Sequence, residues 1–282
     1  MPGFSKTLRL SAVICMTLIV AGTAYAGDLR MATTTSTENS GLLKVLLPKF
    51  EAATGIHVQV IAVGTGKAVK LGESGDVDVV LVHARPLEDA FVASGGGIDR
   101  RDVMYNDFIL VGPANDPARV RGQKNVIQGM ETIASAGEKS GAKFISRGDN
   151  SGTDVMEKAY WKMANIDPKG KPWFVSAGLG MGEVLNMAAQ MNAYTLSDRA
   201  TYGAYRAKTG LDIVLAGDPR MFNPYGIIAV NPAKHAGINY TDATKLIEWI
   251  TSTAGQQAIA DFKVNGEPVF FPSYGKAVAS GK

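Results

Sequence analysis

A chain of 282 residues with 29 basic and 26 acidic side chains, a net charge of +3, has no global excess suited to nucleic acid or to an anionic membrane, so any preference for an anion must be local. One cysteine cannot make a disulfide framework, and three scattered histidines, His57, His83 and His235, show no metal-ligand spacing and read as surface or edge residues, so neither metal nor cofactor is expected. Burial of apolar surface has to hold the chain together, and a chain of this length can do that in one or two domains.

Residues 1–26 begin with Lys6 and Arg9, continue through an apolar run from Leu10 to Ala21, and end in Ala24-Tyr25-Ala26. That is the layout of a cleaved secretory signal, and the run is shorter than the roughly 20 residues needed to span a bilayer. Cys15 follows Val13-Ile14 rather than small residues, which argues against a lipoprotein. Cleavage after Ala26 is expected, leaving a cysteine-free chain of 27 basic and 26 acidic residues outside the cytoplasm.

Beyond the signal, strand-like and helix-like patterns alternate. GDLRMATTT predicts a strand, and GLLKVLLPKFEAATG a helix with Leu42, Leu43, Val45, Leu46 and Phe50 at helical spacing. IHVQVIAV and DVDVVLV read as strands, PLEDAFVASGG as a helix, and DFILVGP as a strand stopped at Gly112-Pro113. Strands joined by helical crossovers imply a parallel sheet covered on both faces, with ligands beyond the carboxyl ends of the strands. The run TTTST, the turn Gly64-Thr65-Gly66 and His83-Ala84 all fall at such ends.

A second unit starts near Asn115. KFISRGDNSGTDVMEKAYWKMA reads as strand, loop and helix, with Val155, Met156, Ala159, Tyr160 and Met163 as its apolar face. GMGEVLNMAAQM predicts a helix, AYTLS and LDIVLAG short strands, and YGIIAVNP a strand echoing DFILVGP. Two such strands look like the two crossings of a hinge. TDATKLIEWITSTAGQQAIADFK predicts helices that return to the first unit.

Hydroxyls cluster at two helix starts. In TTTSTENSGLL, Thr33, Thr34, Thr35 and Ser36 lead into a helix, where free N–H groups and the helix dipole favour an anion. The plain structural account is a capping box of Thr35 with Glu38. In SRGDNSGTD, Ser146, Ser151 and Thr153 surround a second helix start, Gly148 and Gly152 permit close backbone approach, and Arg147 adds a charged fork. Here the plain account is a capped helix with a surface arginine. VGTGKA is a third loop of this kind that lacks the spacing of a nucleotide phosphate loop. A small oxyanion held between the two hydroxyl-rich starts is the simplest account of both. Arg147 is the one cation inside either motif and is predicted to be the main charge partner; Lys67, beside Lys70, is expected to be solvated.

TTTSTxNSGLL, DVDVVLVHAR, YNDFILVGP, SRGDNSGT, GMGE and YTLSDRATY, in this order along nearly the whole mature chain, resemble the periplasmic tungstate-binding proteins of tungstate ABC importers. The resemblance implies an α/β, type II venus-flytrap fold of two lobes joined by two crossing hinge strands. It implies an oxyanion, tungstate ahead of molybdate, clamped by Thr35, Ser36, Thr65, Arg147, Ser151, Gly152 and Thr153, and a membrane permease of an ABC importer as partner. Expected boundaries are residues 28–110 with 227–282 for the first lobe and 111–226 for the second. A monomer without catalytic activity or nucleic-acid partner is expected.

Alternatives rest on single residues. Asp149 could accept the proton of hydrogen phosphate, or could orient Arg147 or cap the helix. A secreted hydrolase could use Ser36 or Ser151 as nucleophile, but neither lies in a GxSxG elbow. A sensor that docks on a receptor would share the cleft. Tyr194, Ser197, Asp198 and Arg199 lie where they could contact the anion or support its contacts.

Overall fold

The computed structural model describes residues 28–274. The expected secretory signal and its cleavage after Ala26 lie outside the described residues. β1 (Leu29–Thr34) runs into the short helix α1 (Thr35–Asn39). Gly41, at φ 81°, then turns the chain into α2 (Leu43–Thr54). The hydroxyl run therefore opens a helix of barely more than one turn, too short to gather much dipole. Its N-cap is Thr34, whose Oγ1 accepts from the Thr37 amide at 3.2 Å, and the Thr35–Glu38 capping box does not form.

β2 (Val58–Val63), α3 (Thr65–Ser74), β3 (Val79–Val82) and α4 (Arg85–Ala93) follow. β4 (Gly97–Gly112) is 16 residues long, far more than DFILVGP announced. Register shifts between Ile98 and Arg101 and between Asp102 and Met104 break its alternation and disguise the first half.

The second half runs through α5 (Val126–Ser140), β5 (Phe144–Ser146), α6 (Gly152–Met163), β6 (Phe174–Ser176) and α7 (Met181–Gln190). β7 (Thr195–Asp198), α8 (Arg199–Thr209), β8 (Asp212–Leu215) and the returning β9 (Phe222–Val230) complete it. The tail forms α9 (Tyr240–Ile250), α10 (Thr253–Asp261), the small ladder of β10 (Lys263–Val264) and β11 (Glu267–Pro268), and the edge strand β12 (Phe271–Pro272).

The main sheet has the order β12-β4-β9-β3-β1-β2. β1 is parallel to β2 and β3, but β9 is antiparallel to both β3 and β4, so the sheet is mixed rather than parallel. β9 is a return crossing and enters against the direction of the strands it joins. One face packs Met31, Leu46, Phe50 and Tyr225 with Leu246 and Ile259; the other packs Ala32, Val69, Val80 and Phe91. This alternation of Met31 and Ala32 is the period-two pattern of a strand covered on both sides. Beyond Asp107, which pairs with Phe222, β4 leaves β9 and pairs with β7 and β8. There Phe108 and Leu110 join a cluster with Tyr160 and Trp161, while Ile109 and Val111 join one with Val184 and Leu185. The fold is thus two α/β lobes on a pair of crossing strands.

The buried face of α6 differs from the predicted one. It consists of Thr153, Asp154, Glu157, Tyr160 and Trp161, whereas Met163 is 58% exposed. Burial pushes the Glu157 carboxyl up to about 8 from its ordinary 4.5. A carboxyl that holds its proton more tightly folded than unfolded stabilises fully below pH 4.5, and that contribution is lost as pH rises through 8. Glu157→Gln is therefore expected to flatten the fall in stability across this window, as read by denaturant melts at several pH values.

Candidate anion site between the lobes

The carboxyl ends of β1 and β5 bring the two hydroxyl-rich motifs face to face. Arg147, immediately after β5, is completely buried. Its Nη1 donates to Ser36 Oγ at 2.7 Å, and its Nη2 donates to Thr35 Oγ1 at 2.9 Å and to Asp149 Oδ2 at 2.6 Å. Asp149 also accepts from the Ser151 amide at 3.1 Å, so the carboxylate orients the arginine and the loop. Arg147 Nε is buried and has no partner among the described residues.

Further bonds cross the cleft. The Gly152 amide donates to Thr65 Oγ1 at 2.9 Å, the Gly66 amide to the Asn150 carbonyl at 3.1 Å, and Thr201 Oγ1 to the Ser36 carbonyl at 3.1 Å. Glycine makes this approach feasible: a Cβ on Gly64 would lie 2.8 Å from the Asp149 carbonyl oxygen. Lys67 is exposed.

The candidate hydroxyls differ in where their hydrogens go. Thr33 donates to the Leu81 carbonyl, Ser40 to the Thr37 carbonyl, Ser197 to the Asp198 carbonyl and Thr195 to the Ile145 carbonyl. Thr35, Ser36, Thr65 and Ser151 accept bonds from Arg147, the Gly152 amide and the Asp154 amide. The buried Thr153 hydroxyl has no partner among the described residues. None of these five hydroxyls donates its hydrogen among the described residues. Five uncommitted O–H groups on the two motifs and the Gly64–Gly66 loop, with two uncommitted guanidinium N–H groups of Arg147, make a donor set for a deprotonated anion.

Tyr194 and Arg199 find their partners away from the cleft, whereas Asp198 is fully buried within reach of the Arg147 charge, its Oδ2 unpartnered among the described residues. Tyr194 is buried and donates to Asp116 Oδ1 at 2.7 Å. Asp198 caps α8 by accepting from the Thr201 amide at 2.8 Å. Arg199 donates two hydrogen bonds to Asp107, both at 2.6 Å, beside the strand crossing. Arg199→Ala is accordingly expected to change anion affinity far less than Arg147→Ala, within about fivefold, since a partly exposed pair contributes at most about 1 kcal/mol; titration calorimetry on both variants gives the ranking.

His83 was missed by sequence reasoning. It is buried rather than at the surface, stacks on Tyr225 with ring centroids 4.6 Å apart, and reaches Asn223 and Thr34 with its two nitrogens. Burial, with Arg147 nearby, holds the imidazole down at about 4, so it is neutral at physiological pH. Its position at the end of the apolar run DVDVVLV was the available signal. Among the described residues no group of three or more His, Cys, Asp or Glu side chains could hold a metal ion.

Two lobes closing on a donor-lined cleft, with a two-strand hinge behind it, define a type II venus-flytrap solute-binding protein. Residues 21–254 match the family model of the PBP superfamily domain. The chain is 47% identical over 261 residues to the tungstate-binding protein TupA of Peptoclostridium acidaminophilum, covering 91% of this chain and 90% of that one. It is 55% identical to the crystal structure of the tungstate ABC transporter from Geobacter sulfurreducens, with a TM-score of 0.76 over 84% of this chain and 99% of that one. The tungstate-binding protein TupA from Desulfovibrio alaskensis G20 is 46% identical, with a TM-score of 0.73 over 88% of this chain and 99% of that one. The chain belongs to the PBP superfamily and, within it, to the TupA family.

Proposed function

We propose that the protein captures tungstate between its lobes, outside the cytoplasm, and delivers it to the membrane permease of an ABC importer. The observation that carries this reading is the set of uncommitted hydroxyl and guanidinium donors that the two motifs bring together at Arg147. Tungstate and molybdate are fully deprotonated near neutral pH and ask only for donors, whereas hydrogen phosphate also needs an acceptor. Asp149, the candidate acceptor, is engaged with Arg147 and the Ser151 amide, which speaks against phosphate. Thr35, Ser36, Thr65, Arg147, Ser151, Gly152 and Thr153 are the proposed contacts, with Arg147 supplying the full positive charge and the α6 terminus a partial one. Tungstate is placed ahead of molybdate on the names of the relatives alone. The relatives are solute-binding proteins, and the chain is not an enzyme.

Lobes of residues 28–110 with 227–282, and 111–226, acting as a monomer, complete the proposal. The change of pairing partner after Asp107 supports setting the first crossing a few residues earlier. A dianion gripped from both sides favours closure by its differential affinity for the closed state. Calorimetric titration with tungstate, molybdate, sulfate and phosphate in parallel tests the reading. Heat from tungstate and molybdate but not phosphate is expected, and the absence of heat from all four would overturn it.

A further inference from the structure

A chain of side-chain hydrogen bonds connects the hinge to the hydroxyl run. Asn106 on β4 and Asn223 on β9 are register partners, one rung before the strands part. Asn223 Nδ2 donates to Asn106 Oδ1 at 2.7 Å and lies 3.3 Å from the Tyr225 hydroxyl. Its Oδ1 therefore faces His83 Nδ1 as an acceptor, 3.0 Å away. The neutral imidazole then carries its hydrogen on Nδ1 and presents a lone pair on Nε2 to the Thr34 hydroxyl at 3.1 Å. Thr34 Oγ1, having given its hydrogen to His83, accepts from the Thr37 hydroxyl at 2.7 Å and from the Thr37 amide at 3.2 Å. Every member of this relay is buried.

We propose that His83 is a positioning residue for anion capture: its Nε2 takes the Thr34 hydrogen, so that Thr34 and Thr37 use their hydrogens internally while Thr35 and Ser36 keep theirs for the ligand, and Asn223 fixes the tautomer that leaves Nε2 free. It touches no ligand itself. Thr34 is both the end of β1 and the cap of α1, so the orientation of Thr35 and Ser36 follows from how Thr34 is held. Asn223, held by Asn106 at the strand crossing, presents its Oδ1 to His83 Nδ1 and so selects the tautomer. The charged groups near the ring are Arg147 and Asp149, from the loop that completes the site on the other lobe. The inference rests on the oxyanion reading above.

Two substitutions separate the two ring nitrogens. His83→Gln places an amide near the former Nε2 and keeps a partner for Thr34; His83→Asn places one near the former Nδ1 and keeps only the hinge bond. Both lose the ring stacking on Tyr225, so a merely structural role predicts equal losses. Calorimetry with tungstate is expected to show His83→Gln within about threefold of the native protein and His83→Asn weaker by about tenfold or more, at similar melting temperatures. Equal affinities in the two variants would overturn the proposal. Nitrogen-15 spectroscopy of the imidazole needs no ligand. A hydrogen on Nδ1 at neutral pH supports the relay, and a hydrogen on Nε2 overturns it. If the native protein takes up no tungstate while the Nδ1–H form is observed, the oxyanion reading fails and the relay remains.

Discussion

Arg147→Ala is expected to lower tungstate affinity by roughly thirtyfold to several-thousandfold, a loss on the order of 2–5 kcal/mol. The size follows from the burial of the guanidinium, since a charged donor removed from a desolvated site is not replaced by water on equal terms. Alanine also leaves Asp149 without its cationic partner, so a carboxylate that now orients the cation would repel the anion. Arg147→Lys restores the charge but not the fork that holds Thr35, Ser36 and Asp149 together, so partial recovery is expected. Titration calorimetry, with folding checked by circular dichroism, decides the matter. Near-native affinity in a folded alanine variant would remove Arg147 from the site.

Gly152→Ala is expected to weaken binding by at least about tenfold while leaving each lobe folded. The Cβ it adds would lie 2.6 Å from the His83 carbonyl oxygen and 2.8 Å from its Nδ1, both on the opposite lobe. A backbone oxygen cannot turn aside, so the methyl group has to hold the lobes apart. Gly152 opens α6 without a left-handed dihedral and alanine keeps the backbone amide, so the added methyl group acts chiefly on the approach of the lobes. Small-angle scattering with and without tungstate should show reduced compaction in the variant. Wild-type compaction together with wild-type affinity would show that the lobes do not need this contact.

The residues brought together at Arg147 were marked in the sequence because hydroxyls, glycines and a cation concentrate where strands end. Legibility failed where a residue's meaning depends on a distant partner. His83 is buried by Tyr225 and Asn223, about 140 positions away, and no local pattern distinguishes it from an edge histidine. Arg199 finds Asp107 across 92 residues, at the hinge rather than in the cleft. The first half of β4 was hidden by its register shifts, and the antiparallel entry of β9 cannot be read from a strand pattern that carries no direction. α8 escaped notice because its surface is largely polar and its buried residues, Ala200, Thr201 and Tyr202, crowd into its first turn.

The position of β9 between β3 and β4 also sets an order of events as the chain emerges from its N-terminus. β1, β2 and β3 leave the ribosome long before residue 230, yet Val79–Val82, all buried in the finished sheet, can pair with β9 only after the whole intervening unit has emerged. Until then the chain carries an apolar strand with an open edge, the kind of segment through which nascent proteins associate. The unit between the crossings is contiguous and needs only the end of β4, already synthesised, to complete its own pairing. Assembly is therefore inside out: the inserted lobe is able to fold first, and the lobe that begins the chain is finished last.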